Sequence, residues 1–154
     1  MTIAQGSLEL LDDPIAVRLL GSTELARLAY NAKDGTPRVI PMMFHWTGEE
    51  VVFGAYASSA KLGSLRANPD VAIAIDTAGP PPDVLLIRGR AELGGVGGIV
   101  SEYAAAHRHY YGAEQGTRNV EVMAADGIRM VRIAVRPTWV GALDFQTRLP
   151  GRMS

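Results

Sequence analysis

Hydrophobic and polar positions alternate through much of this chain, in short runs rather than long ones. "LARLAYNA" alternates from Leu25 to Asn31, as a half-buried strand does. "RVIPMMFHW" reads as a second strand, whose Pro41 removes one ladder donor and so predicts an edge or a bulge. "VVFGAYA", "VAIAIDT" and "VLLIRGRAEL" read as three more, and Gly89 in the last predicts a bend or a close backbone approach. "IRMVRIAV" is a further strand, broken by Pro137, and "TWVGALDF" a short final one. Turn residues separate them: "KDGTP", with Gly35 available for positive φ, "TGEE", and the stiff "AGPPPD".

Four segments carry helical signals instead. "LDDPIAVRLLGS" has Asp12 or Asp13 to cap it, Pro14 for its first turn and Gly21 to end it. "ASSAKLGSLRANPD" is a short helix stopped at Asn68–Pro69. "GIVSEYAAAHRHYYG" takes Ser101 as cap and Gly112 as stop, and "NVEVMAADG" is a weaker helix. Gly94–Gly98, "GGVGG", lacks the Lys-Ser/Thr end of a phosphate loop and reads as a flexible connection. Successive antiparallel strands with few helices between them predict a mainly β fold, a small barrel rather than a βαβ sheet. The expected organisation is a single domain over 1–154. Its barrel core lies at about 25–93 and 128–145, with a helical insertion at about 97–125.

Composition narrows the classes. The net charge of the 154-residue chain is −1, so it has no polycation character and no nucleic-acid partner is expected. There is no cysteine, hence no disulfide or thiol chemistry. No apolar stretch reaches the length of a membrane span, and the start lacks a basic segment followed by an apolar run. A cytoplasmic protein without a membrane partner is the expectation. His107 and His109 are two apart and face different sides of a helix, with His45 far away, so no metal site is expected. "HRHYYG" reads as an exposed helix end.

One cation stands out. Lys61 falls in the first turn of its helix, where the backbone dipole and free N–H groups favour acids. No acidic residue lies between Glu50 and Asp70. Ser58, Ser59 and Arg66 flank it. Two readings are open: a solvated surface helix, or an anion site, most naturally for phosphate.

The pieces "LARLAYNAKDGTPRVIPMMFHW", "VVFGAYASSAKLGSLRANPDVAIAI" and "LLIRGRAEL" settle the order of elements over residues 25–93. In that order the chain resembles the flavin-binding split-barrel proteins, the superfamily of pyridoxamine 5′-phosphate oxidase and the flavin/deazaflavin oxidoreductases. The resemblance implies a split β-barrel homodimer that binds FMN at the subunit interface and transfers hydride to or from a small organic substrate. It implies that Lys61 contacts the cofactor phosphate, with Ser59 beside it; Ser58 and Arg66 are added as candidate contacts from their place around the same helix start. It implies that Arg38–Phe44 runs along the ring edge, Val39, Ile40, Pro41 and Met42 offering backbone contacts. Arg38 falls where the oxidase has a phosphate-binding arginine, and Gly54 and Ala55 where a ribityl chain lies close to the backbone.

There are departures from the oxidase. Ala60 stands where it has an arginine and Val84 where it has a glutamine. Its product-gripping Trp and Arg signature is not recognisable in "TWVGALDFQTRLPGRMS". Vitamin B6 oxidation is therefore not expected. Trp46, Trp139 and Phe145 are candidates to line a cleft for a planar or hydrophobic substrate, and equally for core or dimer contacts. An alternative cofactor is an 8-hydroxy-5-deazaflavin coenzyme, for which Arg38, Lys61, Arg66, Arg88 and Arg90 would form a longer basic groove. A further alternative is a non-catalytic binder of a flavin or haem-like ligand. No catalytic residue is assigned.

Overall fold

β2 (Pro37–Met42) and β3 (His45–Trp46) are joined by only Met43 and Phe44, yet they are opposite edges of one sheet. The sheet must therefore curl until its two edges approach. The computed structural model describes residues 2–151. Residue 1 and residues 152–154, the ends of the expected domain, lie outside the described residues. The other strands are β1 (Ala26–Asn31), β4 (Val51–Tyr56), β5 (Asp70–Asp76), β6 (Val84–Gly95) and β7 (Met130–Leu143). Their order is β2-β1-β5-β6-β7-β4-β3, antiparallel throughout, a curled seven-strand half-barrel. The helices are α1 (Pro14–Leu20), α2 (Lys61–Ala67), α3 (Ser101–Tyr111) and α4 (Ala113–Ala125), with a 3₁₀ turn at Leu8–Asp12 ahead of α1.

The concave face is packed by alternate strand residues: Leu28 of β1, Ile73 and Ile75 of β5, Leu85 and Ile87 of β6. Ile15, Ala16, Leu19 and Leu20 of α1 fill the same core. Each such leucine or isoleucine contributes roughly 1.5–3 kcal/mol by leaving water. Asp13 caps α1, its carboxylate accepting from the Ile15 N–H at 2.9 Å, and Gly21 ends the helix, as the sequence predicts.

β7 differs from the expectation. Pro137 does not break it, because the register shifts at this point: Arg88 pairs with Trp139 and Gly89 with Pro137, leaving Thr138 as an extra residue. A bulge accommodates a residue that cannot donate to the ladder. It also flips the parity of the strand. Val131, Ile133 and Val135 face the core before it, Val140 and Ala142 after it. Gly89 is required here, since a Cβ would lie 2.5 Å from the Arg136 carbonyl oxygen.

Other boundaries move as well. The expected strand through Trp46 divides: β2 stops at Met42, Phe44 turns into the core, and His45–Trp46 pairs with β4 instead. Pro41 sits on an edge strand, as expected. Gly94 and Gly95 are not loop; they extend β6 and pair with Arg132 and Val131. Ser101 does not cap α3, whose N-cap position is Val100. α4 begins well before Asn119, directly after Gly112, which ends α3 at φ 91°. The two helices meet closely at Gly116, where a Cβ would come within 2.4 Å of Arg108 Cα. This pair covers a second apolar cluster on the other face of β4 and β7, built on Val52, Val100, Met130 and Ala134.

Candidate functional site

α2 follows β4 after a tight turn in which the Ser59 N–H donates to the Tyr56 carbonyl at 2.8 Å. The helix starts at Lys61 itself, with Ala60 in the N-cap position and no side-chain cap from Ser58 or Ser59. Instead Ser59 Oγ accepts a hydrogen bond from Lys61 Nζ at 3.0 Å. Lys61 is half-buried, and burial holds its ammonium below the usual lysine range. Among the described residues no carboxylate pairs with it. A hydroxyl does not neutralise a cation, so Lys61 is a partly desolvated positive charge with no counter-ion among the described residues.

Arg38 is placed differently. Its guanidinium donates to Thr36 Oγ1 and to the Pro37 carbonyl at 3.1 Å, and lies 3.9 Å from Asp34 Oδ2. It borders a groove of about 270 Å³ with Tyr30, Asn31, Asp70 and Arg88. Ser58 borders a separate groove of about 300 Å³ with Tyr56 and Arg129, and Lys61 borders neither. The expected basic set thus divides. Arg38 and Arg88 share the outer face of the sheet, Arg90 pairs with Asp70 at 3.6 Å, and Lys61 and Arg66 stay on α2.

Along β2, Val39 is exposed while Ile40 and Met42 pack against the core. β2 has one neighbour, so the polar backbone groups of its outer edge are free for a ligand. Ala55 is buried in the core. Gly54 is a close-approach residue, but the space beside it belongs to Tyr103, whose Cβ and ring atoms would lie 2.8–2.9 Å from a Cβ at Gly54. The room expected for a ribityl chain on that side is filled from α3.

Several neighbours of these residues carry weak sequence signals. Lys33, in the β1–β2 turn, lies against α2, where a Cβ added at Gly63 would be 3.1 Å from its Nζ. Tyr103 is pushed up to about 12, by burial first and by Tyr56 next. His107 is not part of an exposed helix end. It is 7% exposed, stacked on Tyr111 at 5.1 Å and packed on Tyr103 at 4.7 Å, with Nε2 unpartnered. Burial holds it below the usual histidine value. The spacing 103, 107, 111 is one helix face, so this ladder was readable. Trp139 lies on the outer sheet face with Arg88 3.9 Å over its ring, Trp46 lines a cleft beside α1, and Phe145 is exposed.

Comparison with known proteins fits this architecture. The family model of pyridoxamine 5′-phosphate oxidase matches residues 13–137. The chain belongs to the pyridoxamine 5′-phosphate oxidase family. Among solved structures it is similar to an F420 reductase, with 31% identity over 80% of this chain and 93% of that one, at a TM-score of 0.65. A conserved hypothetical protein from Mycobacterium tuberculosis matches over 100% of this chain and 99% of that one, with 16% identity and a TM-score of 0.70. A haem binding protein from Mycobacterium smegmatis matches over 86% of this chain and 53% of that one, with 18% identity and a TM-score of 0.59. The last two likenesses show the fold alone. No curated protein matches the chain. Among the described residues no helix is long and apolar enough to cross a membrane.

Proposed function

We propose that this protein is a hydride-transfer oxidoreductase that holds a flavin-type cofactor by a phosphate at Lys61 and by its ring along β2. The observation that carries the reading is Lys61: half-buried, hydrogen-bonded only to Ser59 Oγ, and without a carboxylate partner among the described residues. An anion restores the favourable environment that burial removes. The open edge of β2 supplies N–H and C=O groups suited to the polar rim of a flavin ring. Ala60 and the bonded state of Arg38 leave Lys61 and Ser59 as the main phosphate contacts. When bound, such a cofactor supplies the hydride chemistry; the chain binds it, orients it and limits solvent access.

Between the two cofactors, FMN is the reading that the oxidase family model favours. The 31% identity to an F420 reductase favours the 8-hydroxy-5-deazaflavin coenzyme as the second reading. The apolar outer face of the sheet, with Val39, Ala72, Ala74, Leu86 and Trp139, supports a homodimer that covers it. Mass spectrometry and absorbance of the purified protein test the proposal. A bound flavin, or uptake of the deazaflavin by colourless protein, is the expected result. A Soret band with no affinity for either cofactor would replace it with a haem-binding role.

A further inference from the structure

A cleft of about 680 Å³ opens between the 3₁₀ turn, α1, the β2–β3 corner and α3. None of the eleven residues expected to bind the cofactor lines it. Its volume falls in the range of small-molecule sites, about 300–1,000 Å³. We propose that it is a binding site for an uncharged, largely apolar ring compound with one hydrogen-bonding oxygen.

The walls decide the class. Leu8, Leu11, Val17, Leu20, Phe44 and Trp46 give an apolar lining with two aromatic faces. The polar groups are few: Asp12, Ser22, His45 and His109. Among the described residues no lysine or arginine lines the cleft, and the one carboxylate that does, Asp12, is exposed and forms no ion pair. An anion would meet only that negative charge, so phosphates and carboxylates are selected against. His109 has a fixed orientation. Its Nε2 lies 3.0 Å from the Gly21 carbonyl and 3.2 Å from the Ser22 carbonyl, and two acceptors require that Nε2 carry the proton. Nδ1 is then the ring nitrogen left to a ligand oxygen. His45 adds a second imidazole from the edge strand.

The place is informative too. Phe44, His45 and Trp46 continue the chain from the Met42 end of β2, whereas Arg38 and Lys33 mark its other end. Under the oxidoreductase reading the cleft would receive the organic co-substrate, and that role rests on that reading. The site itself rests on the cleft alone.

Two polarity-sensitive naphthalene dyes test it: neutral prodan and anionic 1-anilinonaphthalene-8-sulfonate. Val17→Trp and Leu8→Trp plug the cleft from two separate elements, at side chains 58% and 49% exposed, so neither removes core. Wild type should blue-shift prodan, and each plug should weaken its binding by at least about tenfold. Lys61→Ala should leave prodan binding unchanged, and the sulfonate should bind more weakly than prodan. Prodan binding that is absent from wild type, or that survives both plugs, would overturn the site. Preference for the sulfonate, lost on plugging, would overturn the ligand class. Cofactor titration of the same variants separates the two readings. Protein that takes prodan in a plug-sensitive way, yet binds neither cofactor, keeps the cleft and removes the oxidoreductase reading.

Discussion

The start of β2 and the start of α2 each hold a basic side chain, and the chain treats the two differently. Arg38 stays near solvent and spends its donors on its own turn, at Thr36, the Pro37 carbonyl and Asp34. Lys61 is drawn into the protein and given one hydroxyl. The first arrangement is complete without a ligand. The second is unfavourable without one, because burial removes water from a charge that no carboxylate among the described residues neutralises. A basic residue in a plausible sequence position is thus weak grounds for a ligand contact; its unmet electrostatics are stronger grounds.

Substitutions can break or sharpen that contrast. Lys61→Ala should weaken phosphate-bearing cofactor by about 1.5–3 kcal/mol, the worth of one charge-assisted contact, measured by calorimetric titration. Ser59→Ala removes the hydroxyl that positions the ammonium and should cost about 0.5–1.5 kcal/mol in the same assay. Arg38→Ala should cost under about 1 kcal/mol, since its exposed contacts to the turn are worth little. A loss at Arg38 equal to that at Lys61 would erase the distinction between them.

The smallest effect is in the free protein. The Lys61 ammonium is less basic folded than unfolded, so the unfolded chain binds more protons between the two values. Stability should rise with pH as Lys61 deprotonates in the folded state, and the penalty should be fully present at neutral pH. Lys61→Met should remove that pH dependence, read by denaturant unfolding across the alkaline range.

Much of the sheet was legible because half-buried strands alternate by necessity. β1, β4 and β5 were read nearly to the residue. β7 was not, because whether Pro137 ends a strand depends on its partner, and only the bulge opposite Gly89 shows that it does not. The split between β2 and β3 was hidden for a similar reason: Phe44 turns inward because the sheet curls, which no local pattern records. Lys61 was singled out by the absence of nearby acids. Its burial and its bond to Ser59 were not readable, nor was the occupation of the Gly54 face by Tyr103, since both depend on tertiary packing.

The most direct test compares each cofactor with its phosphate-free counterpart: FMN with riboflavin, and the deazaflavin coenzyme with its phosphate-free riboside. Each is titrated into wild type and Lys61→Ala. The account predicts that the substitution weakens the phosphate-bearing member of the binding pair by tenfold or more, about 1.4 kcal/mol, and leaves the other unchanged. Equal loss for both members, or no loss for either, would contradict the assignment of Lys61 to the cofactor phosphate.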